Sequence, residues 1–336
     1  MKISRLTIAA ALSSVIALTA CDKRETPFIR PSTITNNVVE EAEVRGYNLF
    51  AAAIKSAGMD TAFDYLGQYT LLAPTDAAFT AAGINAGNIN ALSKDVLRNV
   101  LRNHILAGRN ISGNLLLGPN AAYGNINRDF LYTTTYVASV AGAFAGTYFN
   151  GARLTKADMI SNNGILHEVD RVLFPATGNL TTTLAGNPNL SFLLAAINRA
   201  GLAGTLNGST ANLNVLAPNN AAFQAAGFAT IDAINSADPA VLTPILGLHI
   251  IPASVANTNP GATGGRLFSP DFRARTYNTL LAAPLTTTIT GTSPRFAGAG
   301  NGANSAQVTS ANILFRTNVS NGSPSVMHII DRVLLP

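Results

Sequence analysis

The sequence predicts an α+β protein built from two tandem domains of the same fold. Two observations lead to this prediction. Segments of the first half recur in the same order in the second half, and TLLAPTDAAFTAAG at 70–83 returns as NVLAPNNAAFQAAG at 214–227. Each copy also starts with helical hydrophobic spacing and ends with short Thr-, Tyr-, Val- and Phe-rich runs, which are typical of strands and hairpins. Two copies of this length indicate globular domains rather than a solenoid.

Local signals predict the elements of the first copy in chain order. Residues 38–57 have helical spacing, residues 69–73 form a short apolar strand, and Thr75 can cap a short helix. Ser93 is expected to cap a further helix that reaches Leu106, with apolar side chains at i, i+3 and i+4. The equivalent helix of the second copy opens on an Asp-Pro pair, a favourable helix start. Helices first and then a mostly antiparallel sheet define an α+β unit.

The domain boundaries follow from the repeat and from composition. The second copy carries extra residues between its two histidines, which predicts an insertion around residues 258–306. We assign residues 1–20 to a signal peptide, 21–36 to a polar tether with two prolines, 37–175 to the first domain, 176–189 to a Gly-, Thr- and Asn-rich linker, and 190–336 to the second domain.

The first 21 residues predict a lipid anchor. Lys2 and Arg5 precede an uncharged apolar stretch, which is too short to span a bilayer and has the length of a signal-peptide core. The stretch ends in LTAC at 18–21, which resembles the lipobox of bacterial lipoproteins, where the cysteine is diacylated after cleavage. Cys21 is the only cysteine of the 336 residues, so it also excludes an intramolecular disulfide. The alternative is an ordinary secretory peptide with a coincidental cysteine.

Three motifs in each copy resemble the fasciclin domain. In the first copy they are TLLAPTDAAF at 70–79, NHIL at 103–106 and NGILHEVDRVLFP at 163–175. The resemblance implies a β-sandwich-like wedge with packed helices in each copy, an extracellular or surface location, and a role in adhesion and in matrix or partner binding. The family often has Tyr-His in its central helix. Asn103-His104 and Leu248-His249 replace that pair here, so the adhesive role of that tyrosine is not expected at these positions.

The four histidines lie at equivalent positions of the two copies, at His104, His167, His249 and His328. That placement invites a metal or catalytic interpretation. Their spacing puts them among apolar side chains, where imidazoles usually serve as internal hydrogen-bond partners, and no HxH or HExxH motif supports a metal site. We therefore predict structural histidines, with no metal, cofactor or catalytic residue. We expect Asp170 and Asp331 to make polar contacts that stabilise the fold, and general acid–base catalysis is the alternative role.

One cluster of arginines and aromatic residues is a candidate partner-binding face. Within the predicted insertion, arginines alternate with aromatic rings, a composition that interfaces favour. The alternative is a solvated loop whose aromatic rings cover its own base. The candidate residues are Arg266, Arg273, Arg275, Arg295, Phe268 and Tyr277. Nucleic acid is not an expected partner, because the net charge of +5 is modest and the predicted compartment is the cell envelope.

Together these patterns predict a non-enzymatic binding or adhesion module that a lipid holds in the cell envelope, at the outer membrane, the cell surface or the periplasmic face. The expected partners are the membrane, through the anchor, and an extracellular protein or polysaccharide. A polysaccharide-acting hydrolase or accessory protein is the alternative, and it would need two facing carboxyl groups with shifted pKa values in a cleft. A purely structural spacer is a third interpretation.

Overall fold

The computed structural model describes residues 35–63, 68–137, 145–176, 178–253, 265–317 and 324–336. Residues Asn36–Pro336 form one compact unit. The predicted signal peptide, Cys21 and all but the last two residues of the predicted tether lie outside the described residues. Within the described ranges, no helix has the length and apolar character needed to cross a membrane.

The first domain begins with helices and continues into strands, as its sequence pattern predicts. Short 3₁₀ turns connect several of these elements, including one at Ser112–Asn114. The elements are α1 Val38–Val44, α2 Asn48–Ser56, β1 Tyr69–Pro74, α3 Asp76–Ala81, α4 Lys94–Asn103, β2 Ile105–Ala107, β3 Gly118–Gly124, β4 Phe130–Tyr136, β5 Gly146–Phe149, β6 Ala152–Ile160 and β7 Gly164–Val169.

The second domain has the same order of strands, and its helices α7 and α9 lie where the first domain has 3₁₀ turns at Asp60–Phe63 and Ile89–Ala91. A 3₁₀ turn at Ser269–Asp271 takes the place of Ser112–Asn114. Its elements are α5 Leu180–Ala185, α6 Ser191–Arg199, α7 Ala203–Asn207, β8 Leu213–Pro218, α8 Asn220–Ala225, α9 Ile231–Ser236, α10 Pro239–Leu248, β9 Ile250–Pro252, β10 Arg275–Asn278, β11 Pro284–Thr290, β12 Ser293–Ala297, β13 Ala306–Arg316 and β14 Pro324–Ile330.

Each domain contains one seven-stranded sheet, and the strand order is the same in both. The first sheet runs β2-β1-β7-β6-β5-β4-β3 and the second runs β9-β8-β14-β13-β12-β11-β10. The β1–β7 and β8–β14 pairs are parallel, and the other pairs are antiparallel. Strands β10 to β12 occupy the sheet positions of β3 to β5. Part of the predicted insertion at residues 258–306 therefore forms strands that have counterparts in the first domain, and the β9–β10 connection is longer than the β2–β3 connection.

The sheet of the first domain has an apolar core on both faces. Leu71 and Ala73 of β1 belong to the cluster under the helices. Leu72 belongs instead to a second cluster with Leu131 of β4 and Phe149 of β5. The sheet therefore folds back on itself and encloses this second cluster. Successive side chains of a strand point to opposite faces, which explains the division. The structure confirms the predicted α+β wedge with packed helices.

Two helix predictions differ from the structure in their bounds. Residues 38–57 form two helices instead of one, because Gly46 takes the left-handed conformation (φ +86°) between α1 and α2. Helix α4 ends at Asn103, not at Leu106, since the next residues turn into strand β2 and pair with β1. The side chain of Ser93 makes no capping hydrogen bond. By contrast, the Thr75 hydroxyl accepts the Ala78 N–H at 3.1 Å, as expected for the cap of α3.

Candidate functional site between the two domains

The predicted partner-binding cluster does not form an external face. Phe268 and Tyr277 are fully buried, and Arg266 is 4% exposed. Tyr277 packs inside the second domain against Phe272, with ring centroids 6.0 Å apart. Arg273, Arg275 and Arg295 are half-buried. The reason for this difference is that the aromatic rings of β10 to β12 supply the second domain's core, while Arg266, Phe268 and Arg273 contact the first domain.

Strand β4 of the first domain provides the surface that these arginines contact. Alternate residues of a strand share a face, so Tyr132 and Tyr136 project in the same direction. The Arg266 guanidinium lies 3.9 Å from the centre of the Tyr132 ring. The Arg273 guanidinium lies 4.3 Å from the centre of the Tyr136 ring. Cation–π stacking between buried or half-buried groups therefore joins the two domains.

A buried carboxyl group completes the polar part of the interface. Asp271 Oδ1 accepts hydrogen bonds from the Thr134 hydroxyl at 3.0 Å and from the Tyr136 hydroxyl at 3.2 Å, both from the first domain. Its Oδ2 accepts the Phe268 N–H at 3.0 Å. Burial raises the pKa of Asp271 to about 6, against the lowering effect of these bonds and of the Arg273 charge. Asp271 was missed by the sequence analysis, although it is the one acid among the clustered arginines.

Apolar packing and an ion pair extend the same interface. Phe268 stacks on Tyr132 with ring centroids 6.5 Å apart. These two rings form a buried cluster with Ala176, Leu314 and Val326. At the edge, Arg316 Nη2 lies 2.7 Å from Asp129 Oδ2. Inside the interface, Asn120 Nδ2 donates to the Arg266 carbonyl oxygen at 3.0 Å. The two domains are thus joined by a continuous interface with a buried aromatic centre.

The helix histidines bind the chain segment that follows the last strand of each domain. His104 Nδ1–H donates to the Val100 carbonyl oxygen at 2.8 Å, and its Nε2 accepts the Leu173 N–H at 2.8 Å. His249 repeats this geometry with Ile245 and Leu334. Accepting a backbone N–H requires a neutral ring. Burial lowers the pKa of both rings to about 4.

The strand histidines anchor the segment before the 3₁₀ turn of each domain. His167 Nε2–H donates to the Asn110 carbonyl oxygen, and His328 Nε2–H donates to that of Leu267, each at 2.8 Å. His167 Nδ1 accepts the Asp158 N–H at 3.1 Å. Asp158 in turn binds the backbone and hydroxyl of Ser112. Both ring nitrogens of His167 form hydrogen bonds with backbone groups. In this group of Ser112, His167 and Asp158, the imidazole therefore has no nitrogen left to accept a proton from the serine hydroxyl.

Asp170 and Asp331 also occupy matching positions, one residue beyond β7 and β14. Asp170 Oδ1 accepts the Arg153 N–H at 2.8 Å, and Asp331 Oδ1 accepts the Gln307 N–H at 2.7 Å. Each carboxylate ties the end of the last strand to the neighbouring strand. Among the described residues, no group of three or more His, Cys, Asp or Glu side chains could hold a metal ion.

Acidification from pH 7 to pH 5 is expected to destabilise the protein. The unfolded rings of His104, His249 and His328 take up protons below about pH 6.5, whereas the folded rings stay neutral to about pH 4. Stability is therefore fully present above pH 6.5 and is lost as the pH falls toward 4, by about 2 kcal/mol for each ring at pH 5. The raised pKa of Asp271 acts in the opposite direction below about pH 6, but it is a single group.

Urea unfolding at the two pH values measures this effect. We expect a lower midpoint at pH 5. An equal or higher midpoint at pH 5 would contradict the burial of neutral rings.

A cleft of about 1040 Å³ lies beside the interface and is lined by both domains. The first domain contributes residues of α3, α4, the β5–β6 turn and the segment after β7, and the second contributes β13 and neighbouring turns. At the β5–β6 turn, Asn150 and Gly151 both have positive φ (47° and 79°), as a two-residue hairpin turn requires. A Cβ at Gly151 would collide with the Asn312 side chain of the second domain, so only glycine permits this close approach.

Both halves match the model of the fasciclin domain, at residues 45–175 and 188–336. The chain belongs to the fasciclin family. It is 29% identical over 194 residues to transforming growth factor-beta-induced protein ig-h3 of Oryctolagus cuniculus, and 30% identical over 196 residues to the same protein of Sus scrofa. Each alignment covers 57% of this chain and 27% of the relative, so the chain spans about a quarter of the length of these relatives.

A solved structure is also similar to this chain. It is described as a FAS1 domain pair from the insect cell adhesion molecule fasciclin I. The sequence identity is 18% and the TM-score is 0.39, and the similarity covers 88% of this chain and 98% of that one.

Proposed function

We propose that the protein is a non-enzymatic binding and adhesion module, held in the cell envelope by a lipid on Cys21, that contacts an extracellular protein or polysaccharide. The observation that carries the proposal is the duplicated fasciclin unit, because both halves match the family and adhesion is the role this family implies. The continuous interface between the domains supports it, since a rigid pair presents a fixed surface to a partner. The LTAC sequence at 18–21 supports the anchor, and two acyl chains are enough for stable membrane attachment.

The alternative, a polysaccharide hydrolase, requires facing carboxyl groups with shifted pKa values in a cleft. Among the described residues, the carboxyl groups with shifted pKa values are Glu168 and Asp271, and neither lines the interdomain cleft. Burial acts to raise the pKa of Glu168, but hydrogen bonds from Lys156, Thr155 and Tyr47 outweigh burial and lower it. Both carboxyl groups are fully engaged as hydrogen-bond acceptors inside the fold, which favours the binding module.

Cys21→Ser is expected to release the protein from membranes and to abolish the adhesion that it confers. Serine cannot form the thioether to the lipid, so the full-length variant should move from the carbonate-washed membrane pellet to the soluble fraction. Cells that produce the wild-type protein should attach to a surface coated with their own envelope material, and cells that produce Cys21→Ser should not. A variant that stays in the pellet would contradict the anchor, and equal attachment of cells with and without the wild-type protein would contradict the adhesive role.

A further inference from the structure

Four large apolar side chains are exposed at one end of the first domain's sheet, which we call the apolar end. They belong to Ile111, Leu116, Leu117 and Ile160, and between 44% and 74% of each is accessible to solvent. Ile160 ends β6, and Gly118, directly after Leu117, starts β3. Strands β3 to β6 are successively antiparallel, so the start of β3 and the end of β6 lie at the same end of the sheet.

Two hydrogen bonds hold the segment that carries Ile111 beside the end of β6. The Arg109 side chain donates to a backbone oxygen of the β6–β7 turn at 3.2 Å. The Ser112 N–H donates to Asp158 Oδ1 at 2.9 Å. Ile111 therefore lies beside the last residues of β6, which include the exposed Ile160.

The same positions of the second domain form its contact with the first domain. Ile111 follows the residue whose carbonyl oxygen binds the strand histidine and precedes the 3₁₀ turn, as Phe268 does. Ile160 is the counterpart of Leu314, since each pairs with the residue two positions before the strand histidine. Phe268 and Leu314 belong to the buried interdomain cluster. The first domain thus exposes two positions that the second domain buries against a partner surface.

Two charged interface residues of the second domain have neutral counterparts at the apolar end. The N–H of Leu116 donates to a tyrosine hydroxyl of the strand that follows, and so does the N–H of Arg273. Asn114 ends its 3₁₀ turn where Asp271 ends the equivalent one. The first domain therefore has a leucine and an amide in the places of a base and an acid, which makes its end more apolar than the interdomain contact.

The apolar end carries little charge. Residues 107–118 contain one charged residue, Arg109, and residues 159–164 contain none. The neighbouring Asp158 binds the backbone N–H and the hydroxyl of Ser112 with its two carboxylate oxygens. Exposed apolar side chains beside a basic residue suit a bilayer surface, because the acyl chains exclude charge and anionic headgroups attract cations.

A second copy of this chain offers a poorer match. The surface that the second domain contacts, the β4 face with Tyr132 and Tyr136, is already covered within each chain. The equivalent strand β11 exposes Thr286 and Thr290 in the places of these tyrosines. Threonine provides no ring on which the apolar end could stack, so neither surface of a second copy suits it.

The chain enters the first domain at the apolar end. The Asn162 N–H donates to the Asn36 carbonyl oxygen at 3.0 Å, and Asn162 lies two residues beyond Ile160. Fifteen residues separate Asn36 from Cys21, and they span at most about 50 Å when fully extended. A lipid on Cys21 would therefore hold this end close to the bilayer, at an effective concentration on the order of millimolar.

We propose that the apolar end lies against the lipid bilayer, with its four exposed side chains at the boundary between headgroups and acyl chains. This inference rests on the lipid anchor of the proposed function and adds the face that touches the membrane. Exposed apolar patches mark contacts with proteins or membranes. The low charge of this end and the entry of the tether beside it favour the membrane.

Fluorescence of a single introduced tryptophan tests the inference, because the chain has no tryptophan of its own. Leu117→Trp places the reporter at the apolar end of the full-length lipidated protein, in vesicles of phosphatidylcholine and phosphatidylglycerol with or without brominated acyl chains. We expect a blue-shifted emission that loses about half of its intensity in brominated vesicles, since side chains at this boundary lie about 5–10 Å deep. Adding Ile111→Asp should restore most of the emission, because a charge resists burial among acyl chains.

Phe130→Trp is the matched control. Phe130 is also an exposed apolar residue of the first domain and starts β4, whereas Gly118 pairs with Thr135 near the other end of that strand. About 17 Å of strand therefore separates the two reporters. The Phe130→Trp emission should be the same in both kinds of vesicle, and circular dichroism should show that all variants are folded.

Flotation with the vesicles reports the anchor separately from the reporters. The inference is overturned, and the anchor stands, if floating Leu117→Trp protein is not quenched, if both reporters are quenched equally, or if the added Ile111→Asp leaves the quenching unchanged. A protein that does not float and carries no lipid on Cys21 by mass spectrometry would reject the anchor and the inference together. A blue shift without quenching by bromine would overturn the inference in favour of a contact with a second copy.

Discussion

His104→Ala is expected to lower the free energy of unfolding by about 3–5 kcal/mol. The ring is completely buried at the end of α4 and joins the Val100 carbonyl oxygen to the Leu173 N–H. Alanine leaves both backbone groups without this partner and creates a cavity beside Phe50, whose ring centroid lies 6.2 Å from that of His104. Urea unfolding monitored by circular dichroism at pH 7 measures the loss.

Arg102→Ala is the matched control for this change. Arg102 lies in the same helix with an exposed side chain, so its removal should change stability by no more than about 0.5 kcal/mol. His249→Ala should reproduce the large loss in the second domain, because His249 makes the equivalent two bonds. A His104→Ala protein with wild-type stability and impaired partner binding would instead assign His104 to a binding site.

Phe268→Ala is expected to uncouple the two domains. Phe268 is fully buried between them and stacks on Tyr132 in the cluster with Leu314 and Val326. Replacing a buried phenylalanine by alanine costs about 3–5 kcal/mol. Because the stacking on Tyr132 crosses the interface, the loss should weaken the contact between the domains. Calorimetry should show two separate thermal transitions, where the wild type unfolds with coupled domains.

The exposed Phe130 supplies a matched control, since Phe130→Ala removes the same type of side chain from the first domain at a position outside the buried cluster of Phe268. It should leave the calorimetric trace unchanged. Small-angle scattering should detect a larger radius of gyration for Phe268→Ala. A single wild-type transition together with an unchanged radius would show that the arginine contacts alone hold the domains together.

The local elements were predictable because their signals lie within a few residues of each other. Thr75 before α3 and Asp238 before Pro239 cap helices as their residue types predict. The burial of His104 follows from its position three and four residues after apolar partners. The end of α4 could not be predicted in the same way. The helix ends there because Ile105 pairs with Leu71 of β1, which is distant in sequence. The apolar residues 105–106 are compatible with a longer helix as well as with a strand.

At the candidate site, too, local features were predictable from the sequence and contacts between distant residues were not. An Asn-Gly pair at 150–151 predicts a hairpin turn by itself, but the close approach of the Asn312 side chain to Gly151 depends on packing. The alternating Tyr132 and Tyr136 predict a common strand face, but not that Arg266 and Arg273 of the other copy stack on it. Composition predicted a partner-binding face from the arginines and aromatic rings. It did not show that Arg266, Phe268 and Arg273 contact the other half of the chain.

The sequence by itself determined the duplicated domain, its order of helices and strands and the buried setting of its histidines, because these follow from periodicity, caps and repetition along the chain. The tertiary structure alone decided which surfaces remain available to a partner. Side chains from residues more than a hundred positions apart meet at the interface, as Thr134 and Asp271 do. Contacts of that kind depend on how two folded surfaces fit together, and hydrophobic patterning along one segment carries no information about the opposite surface.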